Sequence, residues 1–198
     1  CSLTLKIEEM AYIPLEEHLP GITGLLEYRR DTAEPIRELT QLLLRGPSTM
    51  STAERELIAV TVSSDNGCLF CSNSHRAIVS QLLGEHETVE LILRDPASAP
   101  VSAKMKALLT IARQVTEGGK QVNPATIEEA RAAGASDVDI HDTVLIAALF
   151  CLYNRYVDGL ATYTPGDPGF YASLAERIAG NGYHRLPQGY DHLKTQHI

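Results

Sequence analysis

An all-α fold is expected for this 198-residue chain, and three observations predict it. Apolar residues recur at helical spacing in one segment after another, helix start and stop signals bracket those segments, and no run alternates in the way of a strand ladder. With 44% hydrophobic residues, the length suits one well-buried domain over 1–198. Its expected layout is a core at 51–160, an extended N-terminal arm at 1–20 and a polar C-terminal tail at 181–198.

Pro14 and Pro20 restrict helix in the arm, and helical signals dominate from Gly21. Ala33 to Arg45 places Ile36, Leu39, Leu43 and Leu44 on one face and stops at Gly46-Pro47. Ser51-Thr-Ala-Glu54 is a capping box, so a helix opens at Thr52 and runs through Leu57, Ile58, Val60 and Val62 to Asn66-Gly67. A second helix starts near Cys68 and ends by Gly84. Thr88 to Arg94 is a short helix ended by Pro96, and Val101 to Glu117 a longer one stopped by Gly118-Gly119. Asn123-Pro124 caps a helix to Ala133, with Gly134 as its stop. Ser136 to Thr162 contains the apolar run Val144 to Leu152, too short for a bilayer and better suited to a buried helix. Pro165 to Gly169 reads as a turn and Phe170 to Ala179 as the last helix.

The bulk properties exclude several classes. A net charge of −8 argues against nucleic acid or an anionic membrane as partner. No apolar run reaches the roughly 20 residues of a membrane span, and the acidic N-terminus has no signal-peptide core, so a cytoplasmic location is expected. The first residue is Cys1 and not Met, which leaves the true start open. Four cysteines with a single close pair do not make a secreted disulfide framework; in a reducing compartment such a pair suits catalysis or metal binding.

That pair is the centre of interest. Cys68, Cys71 and His75 lie at i, i+3 and i+7 and share one helix face, with Cys68 at the N-terminus where the helix dipole favours a thiolate. Cys71 and His75 are one turn apart. Glu56, twelve residues before Cys68, could not meet this group along one straight helix, since twelve residues rise ~18 Å. A hairpin at Asn66-Gly67 would bring Glu56 and His75 to similar distances from the turn and let the carboxylate orient the imidazole. A thiol, a base and an acid can then make a thiolate and move its proton, and oxidation can link Cys68 to Cys71. The competing reading of the same residues is a zinc site with Cys68, Cys71 and His75 as three ligands, although no second Cys/His pair supplies a fourth. Cys151 reads as a small buried core residue, and Arg155 and Asp158 as a salt bridge on their helix. His18, His86, His141, His184, His192 and His197 lack spacing partners and read as surface residues.

Thr52-Ala-Glu-Arg-Glu-Leu-Ile-Ala-Val-Thr-Val-Ser-Ser-Asp-Asn-Gly-Cys-Leu-Phe-Cys-Ser-Asn-Ser-His75 resembles the core of the alkylhydroperoxidase D-like group in the carboxymuconolactone decarboxylase superfamily, and above all its branch of peroxidase-related proteins. Ala132-Ala-Gly-Ala-Ser-Asp137 and Ala147-Ala-Leu-Phe-Cys-Leu-Tyr-Asn-Arg155 resemble the helices that follow that core. The resemblance implies an all-α homo-oligomer with thiol peroxidase or disulfide-reductase activity. It implies Cys71 as the cysteine that attacks peroxide, Cys68 as its resolving partner, His75 as the base and Glu56 as the acid completing the relay. Alkylhydroperoxidase D itself has a histidine between the cysteines, where this chain has Phe70. Decarboxylases of the superfamily lack the cysteine pair. The resulting expectation is a thiol-dependent peroxidase with a hydroperoxide substrate, an external dithiol reductant, and no cofactor or metal. The alternatives are a disulfide reductase or adaptor serving another peroxidase, and a zinc-binding structural protein.

Overall fold

The computed structural model describes residues 11–190, and among these every regular element is helical. The all-α expectation holds. The helices are α1 (Gly21–Tyr28), α2 (Arg30–Arg45), α3 (Thr52–Asp65), α4 (Leu69–Leu83), α5 (Glu87–Arg94), α6 (Ala103–Glu117), α7 (Pro124–Ala132), α8 (Asp137–Gly159) and α9 (Pro168–Asn181). No helix of the described residues is long and apolar enough to cross a membrane.

The α3–α4 hairpin organises the rest. The capping box opens α3 as its sequence demands: Ser51 Oγ accepts from the Glu54 amide at 3.2 Å, and Glu54 Oε2 accepts from the Ser51 amide at 2.8 Å. At the other end Gly67 takes φ +72°, the left-handed conformation that reverses the chain. Cys68 follows as the N-cap of α4, in extended backbone, and its amide donates to the Ser63 carbonyl at 3.1 Å. Every residue of α3 from Arg55 to Ser63 is buried, because α2, α4, α6 and α8 pack around it. A helix enclosed on all sides must find partners for its polar groups. Arg55 donates to the Leu43 and Gly46 carbonyls that end α2, and Ser63 Oγ accepts from Asn154 on α8.

A second, smaller apolar cluster holds the cysteines. Leu25 of α1, Cys68, Phe70 and Cys71 at the start of α4, Val157 of α8 and Tyr171 of α9 form it. Gly21 makes it possible. It sits at φ +56°, its amide donates to the Tyr163 carbonyl, and a β-carbon there would run into the Phe70 ring.

Several details differ from the sequence reading. α9 begins at Pro168, because Asp167 caps it by accepting from the Gly169 amide, so the segment read as a turn is partly a helix start. Cys151 is half-buried, not enclosed, and Asn66 Nδ2 lies 3.5 Å from its sulfur. Arg155 is exposed and donates to the Cys151 carbonyl one turn back; no ion pair with Asp158 forms among the described residues. His86, His141 and His184 are exposed as expected, His18 is partly buried, and Cys1, His192 and His197 lie outside the described residues.

Gly21 and Gly67 offer a matched test of this account. Gly67→Ala should cost about 1–2 kcal/mol, the left-handed penalty alone, since a β-carbon there meets nothing. Gly21→Ala should cost about 1–3 kcal/mol more by overpacking against Phe70. Denaturant unfolding of the two variants checks it; equal losses would show that the Phe70 approach does not matter.

Candidate functional site

Cys71 is the third residue of α4, so its sulfur lies in the first turn, where free amides and the helix dipole favour negative charge. Both thiols are buried, Cys68 completely and Cys71 at 4% exposure. Both are free thiols, and a hydrogen bond with Cys71 pushes the Cys68 thiol far above its ordinary value, with burial adding to the effect. Cys68 therefore keeps its proton.

Behind the thiols lies Glu56, with no exposure at all. The hairpin does what the register requires: His75 Nδ1 is 2.6 Å from Glu56 Oε2. The second oxygen has two partners. The Tyr183 hydroxyl donates to Oε1 at 2.6 Å, and the Arg45 guanidinium stands 2.7 Å from the same atom as an ion pair. Burial by itself would raise the Glu56 carboxyl; the charge and hydrogen bond of His75, with Arg45 and Tyr183, outweigh it and hold the group below the usual carboxylate range. An ionised carboxylate only accepts, so Nδ1 must carry the proton, and Nε2 is the ring nitrogen free to take another. The ring is fixed from both sides, edge-on to Phe150 with centroids 4.6 Å apart and parallel to Tyr183 at 6.3 Å.

Cys71 and His75 open onto one cavity of about 80 Å³, walled by apolar side chains including Ile22, Phe70, Ile78 and Phe150. This holds a few waters or one small molecule. Phe70, at the position between the cysteines, forms part of this wall and packs against Phe170 and Tyr171. Among the described residues no group of three or more His, Cys, Asp or Glu side chains is gathered so as to hold a metal.

The sequence reading brought Glu56, His75, Cys71 and Cys68 together, and the structure does the same. It missed Arg45 and Tyr183. Arg55, adjacent to Glu56 in sequence, points to the end of α2, and the partner is Arg45 from the last turn of α2. Tyr183 comes from the segment after α9. That segment folds back on its own chain: Arg185 pairs with Glu27 and Tyr190 accepts from Arg37. The one trace in the sequence is that its tyrosines and Leu186 are large side chains for a solvated tail.

Tyr183→Phe tests the hub. Glu56 is depressed in the fold, so its stabilisation is present above its unfolded value near about 4.3 and is lost as pH falls through the lower folded value. Removing one donor should lower stability by about 1.5–3 kcal/mol near neutral pH. The deficit should shrink once Glu56 is protonated. Unfolding curves at neutral and acid pH check this, and a deficit independent of pH would separate Tyr183 from the carboxylate.

Comparison with known proteins agrees with this fold. Residues 30–113 match the carboxymuconolactone decarboxylase family. No curated protein matches the chain. An uncharacterized peroxidase-related protein from Silicibacter sp. is similar in structure, with a TM-score of 0.70 and 28% identity over 77% of this chain and 78% of that one. An alkylhydroperoxidase AhpD core structure, an uncharacterized peroxidase-related protein from Ralstonia eutropha, shares the fold with a TM-score of 0.70 and 24% identity over 79% and 80% of the two chains. So does a protein of unknown function from Agrobacterium tumefaciens, with a TM-score of 0.61 and 20% identity over 72% of this chain and 97% of that one. Residues 30–113 are thus similar to the carboxymuconolactone decarboxylase family, and the chain has the helical fold of the alkylhydroperoxidase D-like, peroxidase-related structures, as the residues around its cysteine pair lead one to expect.

Proposed function

We propose that this protein is a thiol-dependent peroxidase that reduces hydroperoxides through a Cys68/Cys71 dithiol–disulfide cycle. The observation that carries this reading is the shared cavity of Cys71 and His75, with His75 held by a fully buried Glu56 and Cys68 buried in the same apolar cluster as Cys71. In the cycle, His75 Nε2 takes the proton of Cys71, and Glu56 steadies the imidazolium. The thiolate attacks one peroxide oxygen, the O–O bond breaks, and the other oxygen leaves as an alcohol, or as water from hydrogen peroxide, with the proton returned by His75. Cys71 is now a sulfenic acid. The Cys68 sulfur, giving up its proton, attacks the Cys71 sulfur; a disulfide forms and water leaves. An external dithiol reduces the disulfide by exchange and is itself oxidised. We assign this cycle to the reducing cytoplasm, and to a homo-oligomer in which exposed apolar side chains such as Leu42, Leu69 and Leu152 are covered by other subunits.

The cysteine roles are separable. Cys71→Ser should abolish peroxide consumption. Cys68→Ser should permit one turnover and leave a sulfenic acid on Cys71, visible by mass spectrometry as a dimedone adduct. A Cys68→Ser protein that turns over repeatedly with dithiothreitol as fast as the native chain would overturn the resolving role. If the native chain reduces a dithiol-linked protein disulfide but consumes no peroxide, the adaptor reading replaces this one.

The relay is tested at His75. His75→Ala should slow reaction with hydrogen peroxide by on the order of 10²-fold and move the rate to higher pH, because no base lowers the pH at which the thiolate forms. Glu56→Gln should slow it similarly, but it also leaves the Arg45 guanidinium without a counter-ion, which costs about 3–5 kcal/mol. Stopped-flow rates against pH for His75→Ala give the cleaner answer, and an unchanged profile would remove the imidazole from the mechanism.

A further inference from the structure

Away from Cys71 the cavity does not end in apolar side chains. It ends in two guanidiniums, Arg37 of α2 and Arg177 of α9, with Tyr190 between them. Among the described residues, only Arg37 of the two has a carboxylate within ion-pair distance. That carboxylate, Glu27, is shared: Arg37 lies 2.8 Å from it, Arg185 2.9 Å and Arg30 3.1 Å. Arg177 has no carboxylate partner among the described residues; its guanidinium lies over the Tyr190 ring at 5.6 Å. Burial and the neighbouring charge of Arg37 lower its affinity for its proton, as expected for a cation lacking a counter-ion. Arg37 is 5% exposed, its two terminal nitrogens serve Glu27 and Tyr190, and its Nε is buried with no hydrogen-bond partner. Three guanidiniums thus share Glu27, and one of them, Arg37, lines the cavity that holds the reactive thiol together with Arg177.

The cavity is only about 80 Å³, and Cys71, Arg37 and Arg177 all line it. Tyr153, whose phenol is pushed up to about 12 by burial, is within electrostatic reach of both Arg37 and Cys71. One small molecule can therefore span from the thiol to the cations. A partly buried guanidinium without a counter-ion, as Arg177 is among the described residues, is costly, and its planar fork matches a carboxylate. Hydrogen peroxide would make no use of such an end, and the apolar walls suit a short hydrocarbon body.

Building on the peroxidase reading, we propose that the preferred substrates are short organic hydroperoxides bearing a carboxylate, which Arg37 and Arg177 hold while the O–O bond faces Cys71. Arg177 is the selective element, because Arg37 is also tied to Glu27 and Tyr190.

Two measurements on the reduced full chain test this, and one does not depend on peroxidase activity. In the first, iodoacetamide alkylation of Cys71 is followed by peptide mass spectrometry in the presence of butanoate or of neutral butanamide. Butanoate should protect and butanamide should not, and Arg177→Gln should abolish the difference while Arg177→Lys keeps part of it. In the second, tert-butyl hydroperoxide is compared with its analogue in which a carboxymethyl group replaces one methyl. The carboxylate should be favoured about tenfold in kcat/KM, equivalent to ~1.4 kcal/mol, with the preference collapsing in Arg177→Gln. Equal protection by the two probes overturns the anion site, whatever the peroxidase assay gives. Protection by butanoate with neither hydroperoxide consumed supports the anion site and removes the peroxidase reading. Equal use of the two hydroperoxides overturns the substrate preference alone.

Discussion

A carboxylate with no access to water, on a helix enclosed by four others, is the constraint from which the rest of this structure follows. Glu56 can stay ionised there only if the fold brings donors to it. It draws them from three other elements: His75 from α4, Arg45 from the end of α2 and Tyr183 from the segment after α9. Each contact fixes its donor. The imidazole has one tautomer and one orientation, the C-terminal segment is pinned across the site, and the end of α2 is drawn to α3. A buried charge of this kind contributes little net stability, since desolvation offsets much of the attraction. What it provides is geometry.

This geometry separates two environments a few residues apart on α4. The cysteines lie in an apolar layer made by α1, α4, α8 and α9, while His75 lies against the charged hub. The cavity joins them. A thiol in an apolar wall is hard to ionise, so a base at i+4 and the free amides of the first helical turn act in the same direction on Cys71. Cys68, one turn earlier and wholly buried, stays protonated beside it. Phe70 between them packs on aromatic neighbours and contributes no proton, which leaves His75 as the imidazole of the site.

Arg45 changes the meaning of the Glu56–His75 pair. In a simple acid–base couple the full carboxylate charge supports the imidazolium. Here a guanidinium already stands beside the same carboxylate, so part of that charge is balanced before His75 takes a proton. The pair then orients the ring and fixes its tautomer.

Local rules are enough to read much of this protein from its sequence. Ser51 and Glu54 dictate where α3 begins, Gly67 dictates where it turns, and the spacing of Cys68, Cys71 and His75 puts them on one face, because each rests on interactions within four residues along the chain. The meeting of Glu56 with His75 was also legible, since a hairpin with a known turn makes their distances calculable. Asp167 as a helix cap was equally local and was overlooked beside the proline and glycines around it. Arg45, Tyr183 and the arginine pair at the far end of the cavity were not legible. Their partners lie from 10 to more than 100 residues away, and nothing in an arginine or tyrosine on its own distinguishes a solvated side chain from one that neutralises a buried charge. Only the packing of α2, α9 and the segment after it onto the α3–α4 hairpin decided that, because burial, and not residue type, makes those contacts obligatory.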